Sequence, residues 1–328
     1  MTGRPQAHLF FPYQGGAAIG GSQMRALEIA RGLRETCGAE VRLWATSSRF
    51  PDELRRQGLS WFAPWRCARG SFVFIGSFWR PRGWLQRLRP QRLTVIVNDM
   101  NIAHYRRHLP LYRQMDADVR VAFTSETQRH LFDADHDGAV HASPIDLQRF
   151  SPVPERKAVA GQLRLGRHSR DALDKHQFLY DPELYATLAA EGVDVDLMGA
   201  SCIQHLLPPS LRLHIRPSGS MDAADYLRGL DCFVYRTGTF YDVFARVVYE
   251  AMACGLPVVC HRFGGYAESI VHGENGFVFD EQREAIEIIR RLRDDVELRR
   301  RIGRNARLSM EALFAPTRLH AMFQSYLA

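Results

Sequence analysis

Short apolar runs alternate with helix-patterned segments along this chain, and that alternation leaves few folds open. "EVRLWAT" (40–46), "SFVFIGS" (71–77), "LTVIVND" (93–99) and "VRVAFTS" (119–125) are brief, apolar and rich in β-branched residues. Such runs, separated by helical patterns and turn residues, predict a parallel sheet with helices on both faces. The pattern halts at "SPIDLQRFSPVPER" (143–156), where three prolines in a polar run mark a linker. It then restarts with "QLRLGR" (162–167), "VDLMG" (195–199), "LRLHI" (211–215), "CFVYR" (232–236), "LPVVCH" (256–261) and "GFVFD" (276–280). Helices are expected between them, notably over 222–229, 243–254 and 281–293. A chain of 328 residues accommodates two α/β domains of about 150 residues each. The expected division is 1–150, then 151–312, with a C-terminal helix over 313–328 packing back toward the first domain. Open sheets of this kind bind ligands beyond the carboxyl ends of their strands, which makes the cleft between domains the expected site.

Composition narrows the function classes. Apolar residues make up 46% and charged residues 24% of the chain, the balance of a globular protein. The formal charge is +7, the isoelectric point about 9.3, and all but two of the basic residues, Lys157 and Lys175, are arginine. This fits either a coding bias toward arginine or attraction to an anionic ligand or surface. No RNP-like, zinc-finger or helix-turn-helix signature accompanies the charge, so a nucleic-acid partner is not expected. Six cysteines without a C-x2-C pair read as free thiols in a reducing compartment. The first residues lack the apolar core of a signal peptide, and no apolar stretch approaches the roughly 18 residues of a membrane span. The expectation is a cytoplasmic protein, soluble or peripheral on the inner face of the membrane.

Two glycine-bearing stretches carry chemistry. "FPYQGGAAIGGSQMRALEIARGL" (11–33) places the pairs Gly15-Gly16 and Gly20-Gly21 between a strand-like run and a helix. Strand, glycine loop and helix form a layout that cradles phosphate against exposed backbone N–H groups. "TGTFYDVFARVVYEAMACGLPVVCHRFGGYAESIVHGENGFVFD" (237–280) reads as a helix with Asp242 capping its first turn, Gly255 at its C-terminal end, a buried strand, and a glycine turn entering another helix.

The second stretch resembles the retaining GT-B fold glycosyltransferases of family 4, the glycosyl transferases group 1. The resemblance rests on Asp242-x7-Glu250, "AMACGLPVV", Gly264-Gly265-Tyr266-Ala267-Glu268 and Gly273-Glu274-Asn275-Gly276-Phe277. Upstream, "SPIDLQRFSP" is similar to that family's linker, "LGRHSRDALDK" to its diphosphate segment, "DAADYLRGLDCFVY" to the helix and strand before the acidic motif, and the opening glycine loop with Arg25 to its first loop. The resemblance implies two Rossmann-like domains with parallel sheets facing across a cleft. It implies transfer of a sugar from a nucleotide diphosphate donor, with retention at the anomeric carbon, in cell-surface polysaccharide or glycolipid synthesis.

Residue roles follow from the same resemblance. Arg167 and Lys175 would neutralise the leaving diphosphate, tasks suited to a planar fork and a mobile point charge. On their own they read as solvated surface cations, a reading that suits Arg167 in an arginine-rich chain better than Lys175, since lysine is so scarce here. Glu250 would accept hydrogen bonds from the donor's ribose and Asp242 from the sugar's hydroxyls; without the resemblance they are a helix residue and a helix cap. Gly20, Gly21, Gly264 and Gly265 would bring backbone N–H groups to the diphosphate or sugar, or serve as turn glycines. Phe244 and Ala245 stand where relatives have Phe-Gly, and Asp242 where they often have Glu, so the donor pocket differs. Asn98-Asp99 occupies the place of a common histidine; Asp99 or His104 is left to contact the acceptor. His104 and His108 are four apart, but no third metal ligand is evident and no Asp-x-Asp stands in a plausible site. No metal or other cofactor is expected, and the nucleotide sugar is a co-substrate. The acceptor is expected to be a glycan or lipid-linked molecule. "FWRPRGWLQRLRPQR" (78–92) and "YRRHLPLYRQ" (105–114) interleave aromatic and basic residues in a manner suited to an anionic membrane surface. The alternative from another class is a non-catalytic nucleotide-binding or assembly protein on a degenerate transferase scaffold.

Overall fold

The computed structural model describes residues 4–11, 20–45, 50, 52–61, 70–76, 89–132, 138–153 and 159–328. Gly15, Gly16, Lys157, the aspartates at 133 and 135 and most of the basic aromatic stretch, including Trp79 and Trp84, lie outside the described residues. The chain forms two compact units, Met1–Pro144 with Ala315–Ala328, and Ile145–Phe314. The division falls slightly before the expected 150/151. Phe150 is buried, and Arg307 donates to the carbonyls of Leu147 and Phe150 at 3.1 and 2.8 Å, which binds the linker to the second unit.

In the first unit β1 (Gln6–Phe11), β2 (Glu40–Ala45), β3 (Leu59–Trp61), β4 (Ser71–Ile75), β5 (Arg92–Ile96), β6 (Asp118–Phe123) and β7 (Ala139–Val140) pair in parallel, in the order 3-2-1-4-5-6-7. Leu9 lies beside Leu43 and Val73 in register. On one face these residues meet Ile29, Ala30 and Leu33 of the helix Gly21–Cys37, with Phe323 and Tyr326 from the C-terminal segment completing the cluster. Each such aliphatic side chain, fully buried, contributes about 1.5–3 kcal/mol. Phe10, Phe72, Phe74 and Tyr112 build a second cluster.

The helix Ile102–Arg113 corrects one expectation. Tyr105 and Tyr112 are 2% and 1% exposed, so the basic residues Arg106, Arg107 and Arg113 face out without aromatic neighbours from this helix beside them, and Leu111 is its one large apolar side chain that is exposed. Rings buried in a core cannot sit at headgroup depth. The His104 and His108 rings lie 5.8 Å apart. Among the described residues no cluster of three or more His, Cys, Asp or Glu is placed to hold a metal.

The second unit contains β8 (Arg164–His168), β9 (Asp194–Met198), β10 (Leu213–Arg216), β11 (Cys232–Tyr235), β12 (Val258–His261) and β13 (Phe277–Phe279), parallel and in the order 10-9-8-11-12-13. Leu165, Val195, Val234 and Val259 form the centre of its core with Leu184 and Leu188 of the helix Asp181–Ala190. Ala285, Ile288, Ile289 and Leu292 join them at helical spacing from the helix Gln282–Asp294. A further helix, Val296–Leu313, starts where the Asp295 side chain accepts the Leu298 N–H at 2.8 Å. Asp194 and Asp196 of "DVD" lie in β9, and Arg164 and Arg216 pair with Asp196 at 2.8 Å each. Asp118 begins β6 and pairs with Arg92 at 2.9 Å. Strand order reverses beside β8 and β11, and the carboxyl ends of those strands are where a ligand of this sheet is expected.

Candidate active site

Lys175 and Asp242 meet at the carboxyl ends of β8 and β11. Lys175 ends the short turn Leu173–Lys175, and its Nζ lies 3.1 Å from Asp242 Oδ2 and 4.5 Å from the centroid of the Phe240 ring. Tyr235, the last residue of β11, donates its hydroxyl to the same oxygen at 2.9 Å. Asp242 Oδ1 accepts the backbone N–H groups of Ala245 (2.8 Å) and Phe244 (3.3 Å). Burial opposes the charge on Asp242. The Lys175 ammonium and these hydrogen bonds outweigh it and hold the carboxyl below the usual aspartate range. Burial, with the Asp242 charge adding to it, pushes the Tyr235 hydroxyl well above its ordinary value, so it remains a donor.

The loop after β11 carries this arrangement. Thr239 N donates to the carbonyl of Asp174 at 3.1 Å, and Gln177 Nε2 donates to the carbonyl of Gly238. A Cβ at Gly238 would lie 1.8 Å from the Asp174 carbonyl oxygen, so only glycine lets the two loops touch.

Arg167 stands behind these loops. Its side chain is 2% exposed. Nη1 donates to Asp181 Oδ2 at 2.7 Å and to the Tyr185 hydroxyl at 3.1 Å. Nη2 donates to the carbonyl of Arg236 at 3.1 Å and to that of Lys175. Burial opposes the guanidinium charge, but Tyr185, Asp181 and Tyr235 outweigh it and raise the pKa further. As placed, Arg167 braces the Lys175 turn and offers no open fork to a phosphate.

Glu250 lies on the helix Arg246–Ala253 and is 7% exposed. Arg246 Nη2 stands 3.4 Å from its carboxylate, and His168 Nε2 stands 3.8 Å away. Burial lowers the His168 pKa and Arg167 reinforces this against the opposing effect of Glu250, which favours a neutral ring. The Phe244 ring stacks on Tyr249 with centroids 4.0 Å apart. Ala245 has φ 48° and ψ 71°, the left-handed region. The helix therefore begins at Arg246, and Asp242 caps the turn before it rather than the helix itself. Gly265 N donates to the Asp242 carbonyl at 2.9 Å. Gly264 is needed for a different contact: a Cβ there would lie 2.1 Å from the Tyr266 ring. The expected helix after this turn is the single short segment Gly265–Ser269.

The first unit holds the remaining candidates. Gly20 precedes the helix Gly21–Cys37, and the Gln23 side chain accepts the Gly20 N–H at 2.9 Å. Arg25 is buried and donates to the His141 carbonyl at 2.6 Å. Asn98 Nδ2 donates to Ser22 Oγ at 2.7 Å. Asp99 follows β5, where its carboxylate accepts Asn101 N at 2.7 Å. Sequence reasoning missed Tyr235, Arg236, Gly238, His168 and Asp181; for Tyr235, Arg236 and His168 the signal available was a position at or just past a strand end.

Residues 198–309 match the family model described as glycosyl transferases group 1. The matched segment lies within the second unit. That segment contains Asp242, Ala245, Glu250, Gly264 and Gly265 and stops short of Arg167 and Lys175. Spore coat protein SA of Bacillus subtilis (strain 168) is 40% identical over 73 residues, 21% of this chain and 19% of that protein. D-inositol 3-phosphate glycosyltransferase of Arthrobacter sp. (strain FB24) is 28% identical over 200 residues, 54% of this chain and 47% of that protein. The chain thus spans between a fifth and a half of the length of these two curated relatives. Among solved structures, Anabaena Alr3699/HepE in complex with UDP aligns with TM-score 0.76 at 18% identity, covering 98% of each chain. The fold around the group 1 segment is GT-B.

Proposed function

We propose that the chain is a retaining glycosyltransferase that moves a sugar from a nucleotide diphosphate donor to a glycan or lipid-linked acceptor. The observation that carries this reading is the Lys175–Asp242 pair, 3.1 Å apart at the carboxyl ends of β8 and β11, with Asp242 inside the group 1 segment and Lys175 upstream of it. On this reading the donor separates the pair. The Lys175 ammonium turns to the diphosphate, where negative charge develops as the glycosidic bond breaks, and Asp242 accepts from the sugar's hydroxyls. Glu250 accepts from the ribose. In a front-face reaction the leaving phosphate takes the acceptor's proton, so the chemistry needs no histidine at Asn98-Asp99. Arg167 holds the Lys175 turn from behind. That a solved GT-B neighbour carries UDP-glucose supports a nucleotide-sugar donor. The pathway we favour is surface polysaccharide or glycolipid synthesis at the inner face of a membrane. Among the described residues no helix is long and apolar enough to cross one.

A non-catalytic nucleotide binder is the second reading. It is favoured by the inward placement of Arg167 and by Ala245 at a left-handed position. Incubation with a panel of UDP-, GDP- and ADP-sugars separates the two. The transferase slowly hydrolyses the donor to nucleoside diphosphate and free sugar even without acceptor, and a product formed with acceptor keeps the donor's anomeric configuration by NMR. A binder is stabilised against heat by nucleotide and releases none.

A further inference from the structure

We propose that Asp181 is a positioning residue that sets the Lys175 ammonium against Asp242, acting through the Arg167 guanidinium and the Gln177 backbone. Its importance for transfer rests on the function proposed above; its effect on Lys175 does not. Asp181 opens the helix Asp181–Ala190 and is 1% exposed. Its Oδ2 accepts from Arg167 Nη1 at 2.7 Å and from Gln177 N at 3.0 Å. Its Oδ1 faces Arg236 Nη1 at 3.8 Å. One carboxylate therefore lies beside two nearly buried guanidinium groups.

The geometry gives this carboxylate a directed effect. Arg167 uses Nη2 on two carbonyls, those of Lys175 and Arg236. The first belongs to the turn that presents Lys175, and the second to the residue after Tyr235, whose hydroxyl holds Asp242. Arg167 thus joins the backbones that carry both members of the pair. A buried guanidinium keeps one orientation only while its charge is met by a carboxylate, because an unpaired buried charge is strongly unfavourable. Gln177, two residues beyond Lys175, gives Asp181 a second hold on the same segment. Removing the carboxylate frees Arg167 to turn away, and the Lys175 turn loses the brace on its carbonyl.

The chain has two lysines, Lys157 and Lys175, which permits a direct test. Reductive ¹³C-methylation of the full chain gives two side-chain amine resonances beside that of the α-amine, and Lys157→Arg assigns them. In the parent protein the Lys175 resonance is displaced from the free-lysine position by the Asp242 charge and the Phe240 ring. Asp242→Asn serves as the control that reduces this displacement directly. Asp181→Asn is expected to move the resonance toward the free-lysine position and to weaken UDP, used as the probe, by roughly ten- to a hundredfold, the scale of a lost hydrogen bond to a charged group. Tyr185→Phe removes a neutral acceptor from the same guanidinium and is expected to give a smaller shift in the same direction. A folded Asp181→Asn protein with its Lys175 resonance unmoved overturns the proposal, even if its melting temperature falls. Should Asp181→Asn fail to fold, an unmoved resonance in Tyr185→Phe overturns it. Failure of the transferase reading looks different: the resonance moves, but the parent protein binds no nucleoside diphosphate.

Discussion

Glu250 is nearly buried, yet its carboxylate accepts no hydrogen bond among the described residues and has only the Arg246 and His168 contacts at 3.4 and 3.8 Å. An ionised carboxylate has room for about four hydrogen bonds. A ribose diol would supply two. Glu250→Ala is therefore expected to weaken a nucleoside diphosphate by about 1.5–3 kcal/mol, roughly ten- to a hundredfold. The same nucleotide lacking its 2′- and 3′-hydroxyls is expected to bind parent and variant alike. Calorimetric titration with both ligands checks this, and an equal loss for both removes the ribose role. The position of Glu250 was legible because its spacing from Asp242 was part of a motif. Its burial was not, since an acidic residue on a helix reads as exposed until the neighbouring strand is placed. Arg167 was misleading for a related reason. At the end of a strand the sequence does not say which face a side chain takes, and Asp181, the partner that turns Arg167 inward, looks like any acidic residue opening a helix.

At the scale of elements, the helix Arg246–Ala253 begins after a residue that resists its own conformation. Ala245 at φ 48° bears a left-handed cost of about 1–2 kcal/mol that glycine would not. Glycine also makes the unfolded chain more flexible, which offsets about 0.4–1 kcal/mol. Ala245→Gly is thus expected to raise stability by up to about 1.5 kcal/mol in urea unfolding. A clear loss of stability would show that the alanine methyl makes packing contacts that outweigh the strain. Strands were the most legible elements, because fully buried parallel strands read as continuous apolar runs bounded by turns. The start of this helix was less so. Asp242 followed by a helical repeat reads as an N-cap, whereas the carboxylate closes a tight turn first and Ala245 redirects the chain. The turn Leu173–Lys175 gave no periodic signal, since it is held by the Arg167 and Gly238 contacts from outside.

Across the whole molecule, acid sensitivity follows from histidines kept neutral. His141 in the first unit is lowered to about 4 by burial and then by the Arg25 charge; His176 in the second is lowered to about 4 by burial and then by the Arg167 charge. Unfolded histidine titrates near 6.5. Between about pH 6.5 and 4 the unfolded chain binds more protons than the folded one, so stability rises with pH through that window and levels off above it. Each histidine accounts for up to about 1.4 kcal/mol per pH unit. Urea midpoints at pH 7.5, 6 and 5 are expected to fall in that order, and midpoints constant to pH 5 would contradict the neutral burial of both. The two-unit plan was readable from the restart of the strand pattern after the proline linker. The Lys175–Asp242 pair was not, because it brings together residues 67 positions apart through loops without sequence periodicity. The central proposal is that Lys175, released from this pair by the donor, serves the leaving diphosphate without a metal. The direct measurement is nucleoside diphosphate release in EDTA from whichever nucleotide sugar is turned over, comparing parent and Lys175→Ala at equal folded fraction. The account predicts that EDTA leaves the parent rate unchanged and that the variant is slower by a factor of about 10² to 10³. Equal rates for the two proteins, or a parent rate abolished by EDTA and restored by Mn²⁺, would contradict it.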